Sequence, residues 1–163
     1  MLQHILLAIF VIGNVLTEWR NRQALPWWDN PISAYLAGVP WAWVQDVGFL
    51  ALVAALGLLA AESSVPSRLL FSAGSAALLM VVLTKYLLRL AKFHDASAAV
   101  AFTTVTFGIL VRAWQTNEVA KWAGLAAGAV AFLFMRFAPK KTSLEEKTVT
   151  GCILVALWAL SHL

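Results

Sequence analysis

Charge is scarce in this sequence. Asp, Glu, Lys and Arg make up 12% of its 163 residues and apolar residues 61%, against about 25% and about 45–50% in soluble domains. So little charge cannot cover a water-facing surface, so the composition excludes an ordinary soluble domain and points to a membrane protein. Cysteine is almost absent. Cys152 has no second thiol to pair with, so no intramolecular disulfide can form and cysteine usage reports no redox compartment. Inside an apolar run it reads as an inert packing residue. Lys and Arg are missing before Arg20. With neither a basic start nor a small-residue cleavage site, the first apolar run reads as a retained helix rather than a cleaved signal. The net charge is only +4, and no basic cluster falls on a soluble face, which argues against a nucleic-acid partner.

Metal-ligating residues are also few. Histidine occurs only as His4, His94 and His162. In a six-span bundle His4 and His162 fall on one membrane face and His94 on the other, separated by about 30 Å of hydrocarbon. They cannot share an ion. The remaining set around His94, with Asp46, Asp95 and Glu18, is poor in nitrogen ligands for zinc. His4 and His162 lie in no haem motif, so neither metal nor cofactor is expected. No Gly-x-Ser-x-Gly occurs, so Ser33, Ser97 and Thr104 lack the usual surroundings of a serine nucleophile.

What the sequence does have is apolar runs. Spans are expected over residues 2–17, 43–61, 68–90, 95–114, 119–137 and 149–163, against a working need of about 20 residues per span. The runs are continuous rather than alternating, so they are helices and not barrel strands. The expected fold is a single all-α domain, a polytopic bundle of six transmembrane helices. Ser67 is placed to cap the third run. The connection Glu18–Ala42 is too polar to span and too aromatic to be left in water. It holds Trp27, Trp28, Tyr35 and Trp41, and Pro31 after Asn30 suits a helix start. It reads as an ordered loop capping one mouth of the bundle.

Orientation follows from the basic residues. Nine of the twelve Lys and Arg residues lie on the side of loops one, three and five. The positive-inside rule therefore puts those loops in the cytoplasm and both termini outside.

The stretch Lys85–Trp114 organises the rest. It joins the end of the third run to the whole of the fourth, with His94 and Asp95 between them. From His94, Ser97, Ala101, Thr104 and Gly108 form a small and polar stripe. Val100, Thr103, Phe107, Leu110 and Trp114 form the opposite, mostly bulky face. Small faces let helices approach closely in lipid, so the fourth helix is expected in the middle of the bundle. Gly124 and Gly128 form a Gly-x-x-x-Gly that serves close packing within the chain or between copies of it.

Polar groups at membrane depth are costly and so are candidate site residues. They gather at the loop one and loop three mouth: Trp28, Asn30, Ser33, Tyr35, Asp46, Lys85 and His94 as ligand-binding candidates. His94, Asp95 and Asp46 are the catalytic candidates if the chain is an enzyme. Two blocks carry a family resemblance. Asn30-Pro-Ile-Ser-Ala-Tyr-Leu-Ala-Gly38 followed by Trp43-Val-Gln-Asp-Val-Gly-Phe49, with His94-Asp-Ala-Ser-Ala-Ala-Val-Ala-Phe102, resembles the bacterial membrane family catalogued as domain of unknown function nine-nine-eight. The resemblance implies a six-helix bundle in a bacterial inner membrane and singles out Ser33, Tyr35, Asp46 and His94. One departure is the segment Leu87-Leu-Arg-Leu-Ala-Lys-Phe93, basic and apolar where members of that family carry an acidic segment. The leading functional expectation is a non-enzymatic binder of lipid, a small ligand or a partner helix at this mouth. A lipid hydrolase using His94 with Asp46 or Asp95 comes second, and a small transporter or channel third.

Overall fold

The computed structural model describes residues 1–23, 39–84, 91–114, 117–137 and 143–161. Among them the chain is all-helical, with six helices: α1 Leu2–Asn21, α2 Ala42–Ala61, α3 Val65–Thr84, α4 Ala91–Ala113, α5 Glu118–Phe137 and α6 Ser143–Leu160. Four of these, α1 to α4, are long and apolar enough to cross a membrane. The outer surface agrees: Ile12, Val15, Leu69, Leu83, Phe107 and Phe132 are all exposed. Apolar exposure spread over a whole surface in this way is what a lipid-facing bundle presents.

Several helices start before their apolar run, α3 at Val65, α4 at Ala91 and α6 at Ser143, and α1 runs on past its own to Asn21. Polar residues do not end α1, because their side chains bond back onto the helix: Asn14 Nδ2 donates to the Phe10 carbonyl at 2.8 Å and Thr17 Oγ1 to the Gly13 carbonyl at 2.8 Å. Ser67 does not cap α3. The helix begins at Val65, so Ser67 lies inside the first turn and donates to the Ser64 carbonyl at 3.2 Å. Asn117 does act as a cap, accepting from the Ala120 N–H at 2.9 Å at the start of α5. Trp41, just before α2, has φ 65°, a strained conformation for a bulky residue. The turn is held by α1: Asn21 Nδ2 donates to the Pro40 carbonyl at 2.8 Å and Thr17 Oγ1 to that of Trp41 at 3.3 Å.

The helices alternate in direction, as their end contacts show. At one end Gln3 donates to Glu62 at 2.7 Å, Arg112 donates to Ser63 Oγ at 2.7 Å, and His4 packs edge-on against Trp158 at 4.6 Å. At the other end Glu18 pairs with Lys147 at 3.0 Å and His94 meets the Val81 carbonyl. The start of α1 and the end of α6 therefore share one end of the bundle. Described tryptophans mark both ends: Trp19, Trp41 and Trp43 at one, Trp114, Trp122 and Trp158 at the other, all exposed. Arg22 lies over Trp19 at 4.9 Å, and Lys121 lies near both Trp114 and Trp122. Amphipathic rings and cations grouped in this way belong at headgroup depth.

Neighbouring helices pack in sequence order, and α6 also touches α4 and α1. The arrangement is a ring of α1, α2, α3, α4 and α6, with α5 outside it against α4 and α6. Small residues set the closest approaches. A Cβ on Gly74 of α3 would lie 2.6 Å from Val105 of α4, and one on Gly108 of α4 would lie 2.9 Å from Phe71 of α3. Gly124 packs on Ile109 and Leu110 of α4, and Gly128 faces Thr106. The Gly-x-x-x-Gly pair is thus used between α5 and α4 within one chain. The expected stripe of α4 divides. Thr104 and Gly108 approach Gly74 and Phe71 of α3, whereas His94 and Ala101 turn into the centre of the ring. Val100, Thr103, Phe107 and Trp114 are exposed as expected of the outer face, and Leu110 is partly covered by α5.

Candidate functional site

The ring encloses a cavity of about 60 Å3, or about 650 Å3 when the space opening to the outside is counted. All five ring helices contribute to its wall: Phe10 from α1, Leu52 from α2, Leu78 from α3, Ala101 from α4 and Ile153 from α6, with many apolar neighbours. Among the described residues, none of its lining comes from α5. Phe10 and Phe49 meet edge-to-face at 5.2 Å and form part of the lining. A void of 60 Å3 exceeds the roughly 10–15 Å3 that one water needs, but a water also needs polar partners. Most of this wall offers none.

Among the described residues, the polar ones of the wall are His94, Glu146 and Thr150. All three lie near the N-terminal ends of α4 and α6, and so at the Glu18–Lys147 end of the bundle. His94 Nδ1 is 3.1 Å from the Val81 carbonyl oxygen, at the end of α3. A carbonyl can only accept, so Nδ1 carries the proton in this contact and Nε2 is the ring nitrogen left to face the cavity. Glu146 and Thr150 are one turn apart on α6, and the same face continues through Ile153 and Leu157. Thr150 is buried, and its hydroxyl has no hydrogen-bond partner among the described residues. That is unusual here. Thr17, Thr84 and Thr104 each donate to the carbonyl four residues back, at 2.8, 2.6 and 2.7 Å, the normal way a helix satisfies a hydroxyl in apolar surroundings.

The sequence-expected site residues are distributed as follows. His94 is half-buried on the cavity wall. Asp46 is half-buried on α2 and Asp95 is exposed on α4; neither lines the cavity. Trp28, Asn30, Ser33, Tyr35 and Lys85 lie outside the described residues. Glu18 is engaged with Lys147. Among the described residues no three His, Cys, Asp or Glu side chains come together as a metal-binding group. Glu146 and Thr150 were missed from sequence because Glu145-Glu146-Lys147 reads as the polar start of a helix. The signal that could have found them is the spacing Glu146, Thr150, Ile153, Leu157, which puts one carboxylate and one hydroxyl on the inward stripe of α6.

Comparison with protein-family models, curated proteins and solved structures gave no match to this chain.

Proposed function

We propose that this chain is a six-span protein of a bacterial inner membrane whose central cavity takes part of the tail of a lipid or other amphiphile. The cavity, at about 60 Å3, is smaller than a whole acyl tail, and the rest of the tail lies along its opening. The head group would sit at the end formed by His94, Glu146 and Thr150. The observation that carries this reading is the wall itself, among the described residues apolar through five helices and polar at one end. Apolar cavities with a few placed polar groups are the usual form of ligand sites. The narrowest contact that closes the ring is that between α1 and α6, and it faces the bilayer, so a tail could enter from the side. Orientation follows the basic residues, with the His94 end in the cytoplasm and both termini outside. This position for the site deepens the mouth read from the sequence, moving it from loop one into the ring.

The test is to purify the protein in detergent and identify what remains bound by native mass spectrometry and lipid extraction. A stoichiometric amphiphile, lost in Ala98→Phe, is the expected result. Ala98 lies one turn from His94 on the wall, so the ring would occupy the space of the tail. Loss of the fold in this variant would show as a lowered Tm, and Ala98→Leu is then the milder substitute. No retained or added amphiphile in the native protein would overturn the reading. Turnover of a bound ester would instead favour a hydrolase.

A further inference from the structure

Thr150 is 8% exposed and lies on the cavity wall, and its hydroxyl has no hydrogen-bond partner among the described residues. Thr17, Thr84 and Thr104 show the usual arrangement in these helices, a bond back to the carbonyl four residues earlier. Thr150 does not make that bond. The cost of taking its hydroxyl out of water therefore falls on folding, and a ligand that bonds to it gains with no further desolvation cost on the protein side. His94 supplies a second contact on the same wall. Its Nδ1 is held 3.1 Å from the Val81 carbonyl, which leaves Nε2 for the cavity. Nε2 accepts when the ring is neutral and donates when it is protonated. Glu146 is also on the wall, but it is already engaged within the protein and is given no ligand contact.

We infer that Thr150 and His94 hold the head group of a hydroxyl-bearing amphiphile, with Thr150 setting the preference and an uncharged long-chain alcohol as the ligand class. A hydroxyl both donates and accepts, so it can bond to Thr150 in either direction and to Nε2 in either protonation state. It also brings no charge to bury against a largely apolar wall. An ether oxygen only accepts, and an alkane does neither. This ligand class deepens the proposed amphiphile site and depends on it.

Three uncharged probes with one tail decide it: dodecanol, its methyl ether and dodecane. Fixed charges near the site act on all three nearly alike, so differences between them report hydrogen bonding at the head. Binding to the protein in detergent is read by equilibrium dialysis and by the rise in Tm. Only the part abolished by Ala98→Phe counts as cavity binding. Dodecanol should bind at least roughly fivefold more tightly than dodecane, the scale of two modest net hydrogen bonds, with the ether between them. Thr150→Val keeps the shape and should cut that preference at least roughly threefold while dodecane binding stays within about twofold. Thr150→Ser keeps the hydroxyl and should keep the preference. Dodecanol bound no more tightly than the ether or dodecane, or a preference unchanged in Thr150→Val of native Tm, would overturn the inference and leave the cavity site standing. If Thr150→Val does not fold, the native ratio of alcohol to alkane still decides. Failure of all three probes to bind would overturn the site itself.

Discussion

Two regions of this bundle carry polar side chains among apolar helices, and they use them in opposite ways. Between α1 and α2 the backbones nearly touch: a Cβ on Gly13 would lie 2.9 Å from the Val44 carbonyl oxygen, and one on Gly48 3.2 Å from that of Phe10. The polar groups beside this contact, Asn14, Thr17, Asn21 and Gln45, are all buried. They bond to one another and to the backbone, with Gln45 Nε2 donating to Asn14 Oδ1 at 2.8 Å. At the cavity end the polar groups face an apolar void, and the Thr150 hydroxyl has no partner among the described residues. Polar groups in lipid can be used to fix helix packing or be held ready for something that is not protein. Each region holds one buried side-chain oxygen with no hydrogen bond among the described residues: Oε1 of Gln45, whose amide nitrogen is bonded to Asn14, and Oγ1 of Thr150. What separates the two uses is what the polar groups face: a neighbouring helix in the seam, a void at the cavity end.

The seam should be the part least able to absorb change. Gly13→Leu or Gly48→Leu forces side-chain atoms against backbone on a neighbouring helix, where no rotamer can move away. Overpacking costs about 1–3 kcal/mol and occasionally more, so either variant should show the largest fall in Tm in detergent or fail to accumulate. A Tm within a degree of native would show that α1 and α2 can separate without cost, and the comparison would fail at its first term.

Next comes the polar pair of the seam. Asn14→Leu or Gln45→Leu alone strands its partner, at about 1–3 kcal/mol for a buried unsatisfied group, or less if membrane double-mutant values near 0.6 kcal/mol apply. Replacing both should cost less than the two single changes added together. Simple additivity in that cycle would mean that the 2.8 Å contact between them contributes no coupling.

Much of this was legible in the sequence, for physical reasons. Long apolar runs with few breaks leave helices as the only spanning structure, so the six helices could be read from composition and length alone. Basic and aromatic residues at the ends of runs located the bundle's two ends. His94 was legible because an ionisable ring beside small residues stands out on any helix. Two kinds of feature were not legible. The end of α1 at Asn21 depends on side chains bonding to their own backbone, which hydropathy does not register. The site itself depends on which faces of α4 and α6 turn to the same void, and nothing in the spacing of α4 says which of its two inward edges meets α3 and which meets α6. The stripe Ser97, Thr104 and Gly108 was read as one surface with His94, and close packing of Gly74 and Phe71 on Thr104 and Gly108 took half of it away from the cavity. Asp46 stood out by charge, yet it is not part of the lining.

At the cavity end the comparison reverses, with small effects on stability and large ones on binding. Thr150→Val removes a hydroxyl that gives no described bond, so Tm should stay within about 0.5 kcal/mol equivalent of native or rise, as surface-neutral substitutions do. His94→Ala loses one bond to the Val81 carbonyl, worth about 0.5–1.5 kcal/mol, and should abolish amphiphile binding while the fold persists. A large fall in Tm for Thr150→Val, with binding intact, would make its hydroxyl a packing element like those of the seam.

The smallest expected effect on stability sits at the closure of the ring. Glu18 on α1 and Lys147 on α6 pair at 3.0 Å with side chains 20% and 16% exposed, at the same end as His94 and Glu146. A partly exposed pair of this kind contributes about 0.2–1 kcal/mol, so Glu18→Gln should hardly move Tm. Its place gives it a second consequence. The α1–α6 contact is the narrowest that closes the ring, the ring contact of His4 with Trp158 fastens it at the far end, and the cavity lies behind it. Releasing the near fastening should speed exchange of a bound amphiphile roughly fivefold or less, because a rate changes tenfold for every 1.4 kcal/mol of barrier. Equilibrium affinity should change little, since both the open and the closed rings present the same His94, Glu146 and Thr150. Raising salt on the native protein should reproduce part of the effect by screening the pair. Exchange measured by dilution of a preloaded, labelled amphiphile checks both; rates unchanged in Glu18→Gln and in high salt would place the entry path elsewhere than between α1 and α6.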